Sequence, residues 1–475
     1  MLGRIEIFNS AGLAVPVEDE DNDEGESWFV ELVKHLVFDV ILVNPLLFPI
    51  FDDAKSWRNL EEGSKVLKLA AGSHIPPPCS NWTGVDVTSD EAIVQMVFAG
   101  ICGGRLRRSA NPDLDGAFWS VNFDELVNFE TRPGFERFGA IAFFSKQQKL
   151  IRIHWSMKGI DVYPNSTYWN HAKWVFRSSA LVGITVVEHL LSSHFIFSNI
   201  VSTTTRESLA KDHPIRRFLK PFNHMAPTVN MGAVRFLTSE YGLLHRTVGL
   251  TYNGLISAFS FALQKIRYQG NPMLAFSRDI ELLGDNFPYA RDGRDYFSIV
   301  LNFVSSYVSV YYKTDEDVRQ DRYLESLLSD MRVFGSTSKL PRWENLTIPL
   351  LSEMFASYIF SVTALHLIVG NVAEYLVHPN FVTAKLRPNT EVCDIASSHY
   401  SLVIAILTGS KAPYLMNNFE HLLLVDGHFN KTTQIMRDFQ TNLTDFAAEI
   451  DRRNANRRFQ FNGFDPRRML SSVSI

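Results

Sequence analysis

The sequence predicts a mainly α-helical fold with minor β-hairpins. After about residue 169, apolar residues recur at three- and four-residue spacing in nearly every stretch, which is typical of helices that bury one face. Loops rich in Pro, Gly and Asn separate these stretches. Hydrophobic residues make up 46% of the 475 residues and 36 are Phe, so the chain has ample material for a large core.

The first part of the chain differs in character from the rest. Residues 1–85 contain an acidic patch, an apolar stretch and a Pro run, and we expect an irregular segment that wraps around the core. The apolar stretch is interrupted by Glu31, Lys34 and Asp39, so we interpret it as a buried core segment and not as a membrane span. Residues 86–475 are predicted to form one continuous unit.

Two short elements precede the long helices. The run TSDEAIVQMVFAGICGG, from Thr88, has Ser and Asp near its start and Gly at its end, which predicts a helix. The β-favouring run FGAIAFFSKQQKLIRIHW predicts a hairpin that turns at Lys146 to Lys149. The sequence then predicts long helices over residues 171–211, 226–268, 294–313, 317–333, 349–377, 396–409 and 428–454.

Several classes of protein are disfavoured by what the sequence lacks. It has no internal repeat and no βαβ alternation, which argues against a doubly wound nucleotide-binding fold. It has neither a phosphate-binding loop motif nor a Gly-x-Ser-x-Gly nucleophile motif. The net charge is -5 and there is no long basic block, so no nucleic-acid partner is expected.

The cysteine content and the N-terminus bear on the cellular compartment. Cys79, Cys102 and Cys393 are too few and too scattered for a disulfide framework or a zinc ribbon, which agrees with a reducing compartment. The N-terminal run MLGRIEIFNS lacks the basic flank and the long apolar run of a signal peptide. We therefore expect a cytoplasmic protein.

Two histidines on an apolar helix are the first candidates for a metal site. In the run WVFRSSALVGITVVEHLLSSHFIFSN, His189 and His194 are five residues apart. A regular α-helix turns by about 100° per residue, so it would point the two rings about 140° apart and they would not share one ion. A local π-turn, with bonding from i to i+5, would bring both rings onto one face. Imidazole suits iron, zinc and manganese, while two packed core histidines are the alternative.

A third histidine and the last residue complete the candidate set. His366 lies in another apolar run, FSVTALHLIVGNVAEYLVHPN, and is followed by Gly370 and Asn371. Three neutral imidazoles would leave an iron ion without charge compensation, so a carboxylate ligand is expected. The free α-carboxylate of Ile475, at the end of RRMLSSVSI, is a candidate for that ligand.

These residues, together with several distant runs, resemble the lipoxygenase family from about residue 85 to the end of the chain. The run from His189 to His194 is similar to the His-x4-His of the family's central helix, and Ala172 and Lys173 precede it as in the family. KDHPIRRFLKPFNHMAPTVN resembles the segment after that helix, and SDEAIVQMVFAG resembles an upstream helix. YARDGRDYFSIVLNFVSSYVSVYYKTDEDVRQD resembles the helix before the third histidine, and the terminal Ile475 matches as well. The resemblance implies a lipoxygenase-like helical catalytic domain built around a long central helix with a π-turn.

The resemblance also implies an iron site with four protein ligands, namely His189, His194, His366 and the carboxylate of Ile475. Where the family has a weaker ligand, usually Asn or His four residues after the third histidine, this sequence has Gly370. Either a second π-like turn brings Asn371 to the metal, or water fills that position. Ile184 and Ser198 also replace residues that the family uses to support its ligands, but neither is a ligand itself.

Three residues are implied to position the substrate and oxygen. In the run VNMGAVRFL, Ala233 takes the small-residue position that influences which face and end of a diene receives oxygen. Ala at this position resembles the S-forming branch of the family, and a plain helix-packing role is the alternative. Leu237 takes a position beside the reactive carbons, and Leu190 is a further candidate for positioning. Because only about 85 residues precede the first family-like helix, the N-terminal β-barrel of plant and animal members is expected to be absent.

The implied activity is that of a non-haem iron dioxygenase. In the family, an iron-bound hydroxide removes hydrogen from a methylene between two double bonds of a polyunsaturated fatty acid, and O2 then adds to give a hydroperoxide. No side-chain base is needed, so no catalytic residue is expected beyond the metal-bound hydroxide. Manganese also fits the ligand set.

Two other functions are kept as hypotheses. The departures at Ile184, Ser198 and Gly370 motivate a diverged iron oxygenase that acts on a natural-product precursor or a fatty hydroperoxide. A lipid-binding scaffold without metal is the non-enzymatic hypothesis. The sequence does not determine the exact substrate, the position and stereochemistry of oxygenation, or the oligomeric state.

Overall fold

The computed structural model of the chain describes residues 77–110, 116–240, 242–265, 270–276, 278–335, 340–371, 374, 384–388 and 412–473. The predicted helix over residues 396–409, most of the predicted wrapping segment, Cys393 and Ile475 lie outside these residues. In the part that is described, the predicted mainly helical fold is confirmed, and it includes one antiparallel sheet.

The helices of the described residues are named in chain order. They are α1 (Asp90–Phe98), α2 (Trp169–Ser208), α3 (Pro214–Leu219), α4 (Ala226–Phe236), α5 (Leu243–Thr247), α6 (Tyr252–Lys265), α7 (Arg278–Glu281), α8 (Pro288–Tyr311), α9 (Asp315–Gln320), α10 (Arg322–Gly335), α11 (Ile348–Val369) and α12 (Phe429–Asn454). Short 3-10 turns lie between several of them.

The sheet has five strands that pair in sequence order and packs against the beginning of α2. The strands are β1 (Arg107–Arg108), β2 (Trp119–Asn122), β3 (Ala140–Phe144), β4 (Leu150–Trp155) and β5 (Ile160–Val162). The predicted hairpin is confirmed as β3 and β4, whose turn is closed by a 2.8 Å bond from Ser145 N to Lys149 O. Alternate residues of β3 are buried, as expected for a strand with one face on the core.

The long central helix α2 runs through the core, and its middle segment is apolar on nearly every side. It consists of an α segment, Trp169–Val182, a π segment, Gly183–Ser198, and a second α segment, Asn199–Ser208. A helix that is hydrophobic all round is stable only when other elements surround it. By length and composition, α2 and α11 are apolar enough to cross a membrane, but 83% and 72% of their most apolar stretches are buried inside the protein.

Two predicted helices are interrupted in the structure. The predicted helix over residues 226–268 is three helices, α4 to α6, because the chain turns tightly where Gly242 N bonds to Ser239 O at 2.7 Å. A Cβ atom on Gly242 would lie 2.7 Å from that same carbonyl oxygen, so the close approach requires glycine. The predicted helix over residues 317–333 is split at Asp321, whose Oδ1 accepts from Tyr323 N (3.0 Å) and caps α10.

The ends of other helices also differ from the prediction. Helix α8 begins at Pro288, six residues before the predicted start, since proline is favoured in the first helical turn. Helix α11 ends at Val369 and Gly370 caps it, so the predicted helix over residues 349–377 is interrupted there; Glu374 is helical again, and residues 372–373 and 375–377 lie outside the described residues. Helix α12 begins within one residue of the prediction and ends where predicted, at Asn454.

A buried ionic cluster joins α8 to α12. Asp292 is fully buried and accepts from Arg453 Nη1 (2.7 Å) and from both terminal nitrogens of Arg457 (2.8 and 2.7 Å). Asp295 and Glu449 bind other nitrogens of Arg453. The two helices are therefore connected by charge as well as by apolar packing.

Candidate metal centre

Three buried histidines converge where α2 and α11 meet. His189 and His194 belong to the π segment of α2, and His366 directly follows a π turn in α11. The Nε2 atoms are 3.2 Å apart for His189 and His194, 3.2 Å for His189 and His366, and 3.0 Å for His194 and His366. The three residues are only 8%, 1% and 6% exposed. The structure thus brings together the three predicted histidines in an arrangement that can hold a metal ion.

The π segment Gly183–Ser198 explains how two histidines five residues apart share a face. With bonding from i to i+5, each turn contains an additional residue, so side chains at this spacing stack instead of diverging. The segment is nearly uncharged and almost entirely buried, so the surrounding core supports its less favourable backbone bonding. Of the two interpretations that the spacing allowed, the π geometry is the one adopted.

The donor atoms fit a metal better than they fit mutual hydrogen bonds. His194 Nδ1 lies 3.0 Å from the carbonyl oxygen of Asn230, so it carries the proton and Nε2 presents a lone pair. The three imidazole nitrogens lie close enough together to bind one ion, and imidazole is a ligand that suits iron, manganese and zinc.

Asn230, on α4, holds His194 by two bonds and was not predicted from the sequence. Its Nδ2 donates to the backbone oxygen of His194 (3.2 Å) while its Oδ1 accepts from the ring. The residue is fully buried. Such a partner fixes the tautomer and the orientation of a ligand histidine. An amide in the middle of the apolar run VNMGAVRFL is the signal that would have identified it.

Gly370 lies directly against His189. A Cβ atom at this position would be 2.4 Å from Nε2 and 2.7 Å from Cδ2 of that ring. Because real contacts of this kind do not fall below 3.0 Å, no side chain fits here unless His189 moves. The position where a weaker ligand was expected is therefore occupied by backbone.

Asn371, the tentative fifth ligand, follows the end of α11. No π-like turn extends past His366, since Gly370 N bonds to His366 O at 2.8 Å in the ordinary α-helical manner. The amide nitrogen of Asn371 donates to Pro77 O (3.0 Å) and to Cys79 Sγ (3.3 Å). These bonds fix the side chain toward residues 77–79, and its role as a ligand stays a prediction.

The buried carboxylate of Glu374 also bonds to the segment that Asn371 contacts, a few residues further along it. Glu374 accepts from Ser80 N (2.7 Å) and Trp82 Nε1 (2.5 Å), which ties the chain after α11 to residues 80–82. Burial raises the pKa of the Glu374 carboxyl, although these hydrogen bonds act in the opposite direction. Burial also raises the pKa of the Cys79 thiol, so a reactive thiolate is not expected there.

The C-terminal part of the chain runs beside α11. A Cβ atom on Gly463 would be 2.7 Å from Ile368 Cγ1, so the tail passes close to the helix turn that carries His366. Residues Ser471 to Val473 are completely buried. Ile475 lies outside the described residues, and its role as a ligand stays a prediction.

The residues proposed to position substrate lie on the elements that carry the centre. Ala233 is buried three residues after Asn230 on α4, so the two share a helix face, and Leu237 is half-buried at the end of α4. Leu190 is buried in the π segment beside His189. The two departures in the same region, Ile184 and Ser198, are both fully buried in the π segment. Their positions agree with the predicted roles but do not test them.

Comparison with known proteins shows what this chain resembles. Residues 156–390 match the family model described as Lipoxygenase. A "Probable linoleate 9S-lipoxygenase 7" from Solanum tuberosum is 26% identical over 211 residues, which cover 40% of this chain and 24% of that protein. A "Polyunsaturated fatty acid (12S)/(13S)-lipoxygenase, epidermal-type" from Mus musculus is 23% identical over 327 residues, which cover 65% of this chain and 49% of that protein. The chain therefore spans about a quarter to a half of the length of these relatives.

The fold of the chain is also similar to that of a solved lipoxygenase structure. The crystal structure of a coral 8R-lipoxygenase superposes with a TM-score of 0.75 at 17% identity, covering 100% of this chain and 81% of that chain. At this identity the likeness concerns the fold alone. It agrees with the helical catalytic domain that the sequence predicted.

Proposed function

This chain belongs to the lipoxygenase family, and on that premise we propose that it is a non-haem iron dioxygenase that inserts O2 into a polyunsaturated fatty acid. The observation that carries the proposal is the triangle of three Nε2 atoms, 3.0–3.2 Å on a side, buried where two apolar helices meet. The substrate class follows the names of the relatives, which act on linoleate and on polyunsaturated fatty acids.

The ligands proposed for the iron are His189, His194, His366 and the terminal carboxylate of Ile475. Iron held there supplies the one-electron oxidation that hydrogen removal from a bis-allylic methylene requires. Three neutral imidazoles give the ion no compensating charge, which is why a carboxylate is included. The described part of the tail is buried as far as Val473.

The surrounding residues orient the ligands and keep water out. Asn230 holds the His194 ring so that its Nε2 lone pair faces the other two rings. Leu190, Ala233 and Leu237 present apolar surface near the centre, and we propose that they fix the depth and the face of a bound acyl chain. A dry, closely packed pocket also protects a radical from side reactions. We assign no side chain as a general base.

Metal analysis together with a diene assay tests the proposal. Purified protein should contain one iron per chain by elemental analysis, and linoleic acid with O2 should give the ultraviolet absorbance of a conjugated diene. His366→Ala should lose both the metal and the absorbance. His171→Ala is the matched control, because His171 is also buried but lies about 27 Å along α2 from His189. Stoichiometric manganese would revise the metal, and protein that binds neither metal would contradict the proposal.

A second candidate function rests on Gly370. Because Gly370 has no side chain and none fits beside His189, the sequence position at which the family has a weaker ligand supplies none here. We infer that this change is compatible with other oxidative chemistry on a natural-product precursor or a fatty hydroperoxide. Iron-loaded protein that consumes a fatty hydroperoxide but forms no conjugated diene from linoleic acid would favour this candidate over the first.

A further inference from the structure

Exposed apolar side chains are concentrated in one short segment. Within the described ranges, nine large hydrophobic side chains are exposed, and four of them lie within twelve consecutive residues. These four are Met157 (48% exposed), Ile160 (39%), Tyr163 (39%) and Tyr168 (48%). Isolated exposed apolar residues are ordinary, but a cluster of them is typical of a surface that binds a protein, a membrane or another apolar partner.

The cluster is built on the turn between β4 and β5 and on the loop that follows. Met157 and Lys158 are in the turn, and Ile160 pairs with Trp155 across the two strands. The Lys158 ammonium lies 4.4 Å from the ring centre of Trp155 and 5.3 Å from that of Tyr168. We call Met157, Lys158, Ile160, Tyr163 and Tyr168 the docking patch.

The charge around the docking patch has the opposite sign to that of the whole chain. Residues 137–187 contain seven Lys and Arg but only one acidic residue, Asp161, whereas the net charge of the protein is -5. Asp161 accepts from Arg152 (2.7 Å) and contacts His154 (2.9 Å), so its charge is compensated locally. Of the exposed cations of this segment, Lys158 belongs to the docking patch and Arg137 lies at the same end of the sheet, where Ser156 N bonds to Gly139 O, while Lys146 and Lys149 lie in the β3–β4 turn at the other end. The docking patch thus presents apolar side chains beside a local excess of positive charge.

We propose that the docking patch binds the surface of a lipid bilayer that carries anionic headgroups. Tyrosine and lysine have apolar bodies and polar ends, which is why they are favoured at the boundary between headgroups and acyl chains. A strand from a partner protein is a poorer occupant, because β5 is an edge strand of three residues with Asp161 in its middle. The positive charge near the docking patch is attracted to anionic headgroups. The apolar side chains of the turn can insert between lipids, which move apart more easily than the packed surface of a protein.

The position of the docking patch limits what it does. Tyr168 immediately precedes Trp169, the first residue of α2, and His189 is twenty residues further, about 30 Å along the helix. The docking patch is therefore an anchor, distant from the reacting atoms. It should lower the KM for a fatty acid held in vesicles without changing kcat for the same acid in free solution.

Vesicle co-sedimentation tests the proposal independently of catalysis. One set of vesicles is pure phosphatidylcholine and the other contains equal parts of phosphatidylcholine and phosphatidylserine. The wild type should bind the second set at least tenfold more tightly, and the triple variant Met157→Ser, Ile160→Ser, Tyr168→Ser should lose at least tenfold in affinity. The control is Leu274→Ser, Leu282→Ser, Val425→Ser, which removes apolar side chains that are 77%, 76% and 79% exposed elsewhere. Binding by the triple variant equal to that of wild type, or no binding by wild type, overturns the proposal.

A fluorescent residue distinguishes a bilayer from other occupants. In Met157→Trp, emission should be quenched by iodide in the absence of vesicles, and it should shift to the blue and become protected when phosphatidylserine vesicles are added. Protection without vesicles would mean that a second copy or another part of the chain covers the docking patch, and would overturn the proposal. An unchanged metal content in the triple variant, measured in parallel, separates failure of docking from failure of the proposed function.

Discussion

At the centre itself, three imidazole nitrogens within 3.2 Å of one another are unfavourable as simple core packing. A neutral imidazole has one donor nitrogen and one acceptor nitrogen, and His194 uses its donor on Asn230. Its Nε2 therefore presents an acceptor toward the Nε2 atoms of His189 and His366. A cation can bind all three nitrogens at once, whereas one hydrogen bond joins only two of them, which favours a metal centre over the alternative of packed core histidines.

Asn230 provides the most direct test of how the centre is oriented. In Asn230→Leu both bonds to His194 are lost, so metal affinity should fall by about 10–100-fold, as is typical when the partner of a ligand histidine is removed. The measurement is a competition titration of metal against a chelator. Asn230→Asp keeps an acceptor for the ring but places its second oxygen against His194 O, so it should retain more of the metal affinity than Asn230→Leu while lowering the stability of the fold. Equal losses in both variants would show that Asn230 only packs the helices and would contradict the orienting role.

The sequence identifies the ligands better than it identifies their surroundings. His189, His194 and His366 stand out because their spacing and apolar context match a family pattern. The contact between Gly370 and His189 joins two residues 181 positions apart and depends on how α2 and α11 pack, which no local pattern records. Asn230 was missed for the same reason, since its partner is on another helix.

Among the secondary-structure elements, the local sequence pattern predicts where helices lie better than it predicts where a helix is interrupted. Helix α12 was predicted within one residue at each end, because its amphipathic pattern is long and unbroken. The interruption between α4 and α5 depends on the tight turn at Gly242, and the short polar run Thr238 to Glu240 before this glycine is easily overlooked as a turn signal. Strands β1 and β2 were not predicted, since two- and four-residue strands have little periodicity and are defined by pairing with distant segments.

The ionic cluster between α8 and α12 should contribute measurably to stability. Asp292→Asn removes the buried charge that both guanidinium groups share. Arg453 keeps Asp295 and Glu449, but Arg457 keeps only a 3.5 Å ion pair with the exposed Asp285, so the loss should approach about 3–5 kcal/mol, the cost of breaking a buried ion pair. The midpoint of urea unfolding should fall accordingly. Glu420→Gln is the control, because Glu420 pairs with Arg437 at the surface, where such a pair contributes about 0–1 kcal/mol. Equal shifts for the two variants would contradict the role of burial.

The buried carboxyl of Glu374, which bonds to Ser80 and Trp82, predicts that the stability of the fold depends on pH. Burial raises the pKa of this carboxyl above its ordinary value of 4.5, so the folded protein retains the proton over a range where the unfolded chain has lost it. The contribution to stability is greatest below about pH 4.5 and is lost as the pH rises through the raised pKa. Glu374→Gln should flatten this fall, and its amide nitrogen should cost about 1–3 kcal/mol because it faces Ser80 N or Trp82 Nε1 as a second donor.

The measurement for Glu374 is the melting temperature as a function of pH. Glu240→Gln, at an exposed position, is the matched control and should follow the wild-type profile. If the wild type and Glu374→Gln have profiles of the same slope, the carboxyl of Glu374 does not titrate across this range and the interpretation is wrong.

For the molecule as a whole, the candidate centre connects parts of the fold that are far apart in sequence. One pair of ligands is on α2, the third is on α11, and the tail that passes Ile368 leads toward the end of the chain. A ligand that binds only the folded state stabilises it in proportion to the logarithm of its concentration. The metal is therefore expected to stabilise the fold as well as to supply chemistry.

Removing the metal should lower the melting temperature of the entire described core and not only of the helices that carry the ligands. With free iron at about a thousand times its dissociation constant, binding adds about 4 kcal/mol to the free energy of unfolding. Anaerobic titration of ferrous iron into chelator-treated wild-type protein should raise the melting temperature by several degrees, and scanning calorimetry measures it. His366→Ala should melt at a temperature that does not depend on iron, whereas His171→Ala should respond as the wild type does. A wild-type melting temperature that is indifferent to iron would mean that the three imidazoles hold no ion in the folded state, because binding that leaves stability unchanged would require equal affinity for the unfolded chain.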